Sequence, residues 1–186
     1  MSKGTLLVLS GPSGVGKTTI AKRLKEAGIP RVMTTTTRAP RGTEKNGVEY
    51  RFLTRAEFET DLKAGAFLEY AEIDGNLYGT PKERIEQELA SRKVVLVDID
   101  TQGAATLRKM GLQALYVFIA PPDMAELRKR LEGRKTEKPE AVKMRLARAE
   151  REMAQKDSYD VVVVNSTVER AVDEILALAR ARKLLG

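Results

Sequence analysis

Residues 5–18 read Thr5-Leu-Leu-Val-Leu-Ser-Gly11-Pro-Ser-Gly-Val-Gly-Lys17-Thr18, and the fold class turns on this stretch. The apolar run Thr5 to Ser10 is closed by Gly11, and Thr18 to Ala27 then carries Ile20, Ala21, Leu24 and Ala27 at helical spacing before Gly28 stops it. The pattern predicts a strand, a loop and a helix. The loop matches G-x-x-x-x-G-K-[ST] in the context that motif requires. Its glycines let the backbone curl so that successive N–H groups and the helix N-terminus face phosphate oxygens. Gly11, Pro12, Ser13, Gly14, Val15, Gly16, Lys17, Thr18 and Thr19 are thus the predicted donor-nucleotide loop, with Lys17 bridging the β- and γ-phosphates and the Thr18 hydroxyl ligating Mg²⁺. The plainer alternative is a glycine turn before a helix, but a chance match in a chain this long is on the order of one per cent.

Working outward, Val94 to Asp98, Leu115 to Ala120 and Val161 to Val164 are apolar runs without alternation, as expected of parallel strands buried on both faces. Helical patterns separate them, at about 81–91, 102–109, 123–132, 139–156 and 167–183. Alternation of this kind predicts an α/β fold: a three-layer P-loop NTPase fold with a mostly parallel sheet. Two stretches fit that plan poorly. Residues 33–80 are rich in Thr, Gly, Arg and Tyr with one helical pattern at 54–64, and read as an inserted small mixed α/β region. Residues 123–156 are two charged helical segments joined around Gly133 to Lys138, the pattern of a helical lid.

A length of 186 residues predicts one domain, with a core of about 1–32, 81–122 and 157–186 around those two excursions. With 42% hydrophobic and 32% charged residues the chain can close a core. Its 33 Lys and Arg against 26 Asp and Glu leave +7, which implies anionic partners. Cys and His are both absent, so thiolate and imidazole chemistry is excluded and a metal is left to oxygen ligands. No signal-peptide core opens the chain, and the longest apolar run, Ala114 to Ala120, falls far short of the ~20 residues that span a bilayer. The expectation is a cytoplasmic protein that binds neither membrane nor nucleic acid.

Asp98 closes an apolar strand, where a carboxylate beside the phosphate loop can hold Mg²⁺ directly or through water. Asp98 and Asp100, two apart in an extended segment, would share a face. Helix caps are the weaker explanation. The excursion then becomes specific: Thr34-Thr-Thr-Thr-Arg38-Ala-Pro-Arg41-Gly-Thr-Glu44-Lys-Asn-Gly-Val-Glu-Tyr50, Phe67-Leu-Glu69-Tyr70, Tyr78-Gly79-Thr80 and Asp98-Ile-Asp100-Thr-Gln102-Gly103. In these motifs, and in their order, the chain resembles the guanylate kinase family from about Leu6 to Leu178.

The resemblance implies that Arg38, Arg41, Tyr50 and Tyr78 hold the GMP phosphate, that Glu69 takes the guanine N1–H and amino group, and that Thr34, Thr80, Asp98 and Asp100 complete the acceptor site. Chemistry agrees, since two guanidinium forks and two hydroxyls suit a phosphate dianion. Solvated charge for the arginines, half-buried core for the tyrosines and a solvated strand position for Glu69 are the plain alternatives. Adenine would leave polar groups unpaired against Glu69, at about 1–3 kcal/mol per group. The family also implies that Asn165 meets the donor base. Thr34 and Thr80 stand where Ser is frequent, Ser166 follows Asn165 where Asp is common, and Lys135-Thr-Glu137 replaces the usual Gly-Thr-Asp.

The predicted reaction is ATP-dependent phosphorylation of GMP, and of dGMP, in purine nucleotide metabolism, with Mg²⁺ as cofactor. Lys17, Arg38 and the lid arginines Arg130, Arg134 and Arg145 share the transition-state charge. Arg128 and Arg148 are expected to be solvated neighbours. Two rivals stand beside this reading: a kinase for another phosphorylated acceptor, which would lose the base-reading set, and a protein-binding module, which would degrade the phosphate loop.

Overall fold

The computed structural model describes residues 4–133 and 139–185. Strand β1 (Thr5–Ser10) lies between β6 (Val94–Asp98) and β7 (Ala114–Ala120), and β8 (Val161–Val164) flanks β7; all pair in parallel in the order β6-β1-β7-β8. On the outer side of β6, Leu96 N–H donates to the Pro30 carbonyl at 2.8 Å and Val32 N–H to the Leu96 carbonyl at 2.9 Å. The chain thus runs along that edge before it leaves the sheet.

Successive side chains on a strand point to opposite faces, and β1 uses both. Leu7 and Leu9 pack toward α1 (Lys17–Glu26) and α7 (Val168–Ala181), whereas Leu6 and Val8 pack toward α3 (Lys82–Ser91) and α4 (Thr101–Lys109). That double burial explains why β1, β6 and β7 are continuously apolar. β8 departs from the expectation. It is the edge strand, α7 covers one of its faces, and Val162 and Val164 are exposed on the other.

A second, mixed sheet of order β3-β2-β5-β4 comes from the excursion, with β2 (Thr35–Thr36), β3 (Arg51–Phe52), β4 (Phe67–Ile73) and β5 (Asn76–Pro81). Helix α2 (Arg55–Lys63) starts in a capping box of Thr54 and Glu57 and buries Phe58, whose ring stacks on Phe67 at 4.4 Å. The β4–β5 hairpin turns through Asp74 and Gly75 at φ of 50° and 75°, the geometry an Asp-Gly pair suits.

Helices α5 (Met124–Glu132) and α6 (Pro139–Met153) form a hairpin with its own small core of Leu127, Leu131, Val142, Leu146 and Ala149. The second ends three residues before the expected 156, where Lys156–Ser158 tightens into a 3₁₀ turn. Among the described residues no helix is long and apolar enough to cross a membrane.

Candidate active site

The phosphate loop leaves β1 at Gly11, where a β-carbon would strike the Ile119 carbonyl, and enters α1 at Gly16 in a left-handed conformation with φ of 99°. Its shape is held from behind. Asn165, buried after β8, donates its side-chain N–H to the Val15 carbonyl at 2.7 Å, and Arg130 donates to the Asn165 carbonyl at 3.0 Å while pairing with Glu126. Lys17 folds over the loop, its ammonium donating to the Gly11 carbonyl and, at 3.0 Å, to the Pro12 carbonyl. Burial pushes its pKa down, and the carboxylates of Glu152, Asp98 and Asp100 oppose that shift.

In front of the loop opens a cleft of about 650 Å³. Gly11, Ser13, Gly14, Gly16, Lys17, Thr18 and Thr19 line it from the phosphate loop and the start of α1. Thr34, Arg38, Arg41, Tyr50, Glu69 and Tyr78, all from the excursion, line the same cleft, as do Asp98 and Asp100. Pro12, Val15, Thr80, Asn165 and Arg130 stand behind these walls; Val15 is core and Thr80 is 1% exposed. Arg145 reaches the cleft from α6. Arg134 lies outside the described residues, as does Lys135.

Arg38 is buried, which removes the solvated alternative for it. One Nη donates to both Glu44 oxygens at 3.0 and 2.9 Å, the other to the Ala39 carbonyl at 2.6 Å, and the guanidinium carbon lies 5.4 Å from the Tyr50 ring centroid. Glu44 also accepts the Arg41 backbone N–H at 2.8 Å, so one carboxylate organises the segment that carries both arginines. The Arg41 side chain is exposed at the cleft. Burial, with Asp98 and Tyr78 adding to it, pushes the Tyr50 hydroxyl up to about 12 and so keeps it a proton donor.

Glu69 is buried at 6% exposure and accepts the Thr80 hydroxyl at 2.6 Å. A β-carbon on Gly103 would collide with its carboxylate, which explains a glycine inside α4. Burial raises its pKa to about 7 against the pull of the Thr80 hydrogen bond. An acid whose folded pKa exceeds its unfolded value binds its proton more tightly when folded, so that contribution is complete below about pH 4.5 and is lost as pH rises to about 7. Stability of the nucleotide-free protein against urea should therefore fall across that window by at most about 1.4 kcal/mol per pH unit. Glu69→Gln should flatten the slope. An equal slope in the variant would remove Glu69 as its source.

The two aspartates part company. Strand β6 ends at Asp98, so alternation does not extend to Asp100, which caps α4 by accepting the Gly103 N–H at 2.8 Å. The cap set aside as weaker is present there, although the same residue also borders the cleft. Asp98 accepts Arg31 Nε at 2.7 Å, with the side chains 9% and 3% exposed. Arg148 also differs from the expected solvated neighbour: it is 19% exposed, lines the cleft and pairs with Asp74 and Glu152. Glu44 and Gly103 lie inside the quoted motifs without a role read for them, and Arg31 and Glu152 lie outside any motif; Arg31 meets a partner 67 positions away, which no local pattern announces.

A parallel sheet whose central strand feeds a phosphate loop, facing a second basic site and a helical hairpin across one cleft, is the plan of a nucleoside monophosphate kinase, a transferase that uses ATP. A guanylate kinase family model matches residues 3–181. The guanylate kinase of Rubrobacter xylanophilus is 45% identical over 97% of this chain and 95% of its own, and that of Anaeromyxobacter dehalogenans 46% over 97% and 82%. The crystal structure of guanylate kinase from Anaplasma phagocytophilum superposes with a TM-score of 0.83 at 36% identity, covering 98% of this chain and 87% of that one. The chain belongs to the guanylate kinase family.

Proposed function

We propose that the cleft transfers the γ-phosphoryl group of ATP to GMP, and also to dGMP, by direct in-line displacement. The observation that carries this reading is the buried Glu69 carboxylate lining the same cleft as Lys17. Glu69 accepts from the guanine N1–H and amino group, Thr80 holds it from behind, and Thr34 donates to O6. Arg38, preset by Glu44, acts with Arg41, Tyr50 and Tyr78 on the acceptor phosphate. The nucleophile is already an anionic phosphate oxygen, so positioning and charge neutralisation replace proton chemistry. Residues 33–80 serve as the GMP-binding region and 123–156 as the lid, with Arg145 facing the transferring group and Arg134 the lid's other candidate. Arg130 and Asn165 support the phosphate loop, and Asn165 also borders the donor base.

Mg²⁺ fits these residues. Among the described residues no group of three or more Asp and Glu stands ready to cage a cation. An ion that keeps its waters and takes nucleotide oxygens needs less: the Thr18 hydroxyl, exposed at the start of α1, and the Asp98 carboxylate, directly or through water, would hold it. When bound it neutralises charge on the β- and γ-phosphates.

An ADP-release assay across the nucleoside monophosphates tests the reading. GMP should turn over, dGMP more slowly, and AMP, CMP and UMP near background; comparable turnover of AMP would reject the assignment of Glu69. Arg41→Lys retains the charge and loses the fork, so it should raise KM for GMP several-fold and leave KM for ATP unchanged. Equal GMP constants would return Arg41 to the role of a surface charge.

A further inference from the structure

Four charges of alternating sign run across the top of the cleft. Asp74, at the tip of the β4–β5 hairpin, accepts Arg148 Nη1 at 2.7 Å, and Arg148 Nε lies 3.6 Å from the Glu152 carboxylate one turn along α6. Glu152 is 8% exposed. It lines the cleft together with the phosphate loop and Lys17; burial raises its pKa, while the Lys17 ammonium, Arg148 and the Ser13 N–H pull it down. The row thus joins the acceptor-side hairpin, the lid helix and the donor loop.

The other half of the lid is anchored differently. Leu131 of α5 sits against Gly14, where a β-carbon would meet its side chain, and Arg130 reaches the Asn165 carbonyl. Helix α6 packs on α5 through Val142, Leu146 and Ala149. The Asp74 to Arg148 pair ties α6 to the hairpin, and Arg145, three residues earlier, shares the helix face of Arg148.

We propose that Arg148 is a positioning residue: clamped between Asp74 and Glu152, it latches α6 onto the acceptor-side hairpin and so fixes Arg145 over the cleft. This rests on the reading of Arg145 given above. Asp74 is half exposed, so the pair biases closure by only a few-fold, the range of exposed ion pairs, and yields to salt.

The chain contains no Cys, so spin labels at Tyr70→Cys and Met144→Cys, both exposed, report the hairpin-to-lid distance in the nucleotide-free protein. Asp74→Asn should lower the ratio of short to long distances about two- to fivefold, and Asp74→Glu should retain the parent ratio. High salt should reduce the difference between parent and Asp74→Asn. In turnover, Asp74→Asn combined with Arg148→Gln should be no slower than Arg148→Gln alone. A parent-like distance distribution in Asp74→Asn, or rate losses that multiply, would overturn the latch. The distances are read without substrate, so they stand or fall separately from GMP turnover; a shifted distribution alongside an unimpaired Arg145→Ala would retain the latch and reject the catalytic role of Arg145.

Discussion

Lys17→Ala is expected to lower kcat by about 10³-fold, or about 4 kcal/mol, while GMP binding measured by calorimetry stays near the parent value. The ammonium already rests on the Gly11 and Pro12 carbonyls, inside the loop whose N–H groups face the donor phosphates. In the proposed reaction it would stand where negative charge accumulates as the γ-phosphoryl group leaves. The acceptor end is built from different elements, the mixed sheet and its loops, so removal of Lys17 leaves Glu69, Arg38 and Tyr50 in place. Loss of GMP affinity equal to the loss in rate would contradict two independently built ends.

Arg31→Met should destabilise the fold by about 3–5 kcal/mol in urea unfolding, the cost of stranding a buried charge. Asp98 is 3% exposed on its side chain and accepts Arg31 Nε at 2.7 Å; without the guanidinium the carboxylate loses its ion-pair partner at a mostly buried position. For a chain of this size the melting temperature should fall by roughly 6–20 °C. Arg31→Lys, which retains a charge but changes its shape, should recover only part of the loss. A change below about 1 kcal/mol in Arg31→Met would class the pair with exposed ion pairs, against its burial.

These two residues mark how far the sequence is legible. Lys17 lies in a motif that includes its own strand and helix, and the central strands are apolar because both of their faces are covered. The mixed sheet is harder to read, since β2 and β3 have two residues each and no periodicity can emerge from so short a run. β8 reads as fully buried because four valines carry no mark of an edge. Arg31 and Arg148 resemble ordinary surface arginines. Their partners are distant in the chain, Asp98 and Asp74, and only the packed structure pairs them. Asp100 shows the limit of strand alternation: β6 ends at Asp98, and Asp100 caps α4 while it also borders the cleft.

In the proposed reaction one cleft would hold a donor at Lys17 and a guanine at Glu69. Calorimetric titration with a single molecule joining adenosine and guanosine through a polyphosphate chain tests it most directly. One equivalent should bind more tightly than ATP or GMP alone, exclude both, and lose most of its advantage in Glu69→Ala. Binding of two equivalents, or a diadenosine analogue bound as tightly as the mixed one, would contradict it.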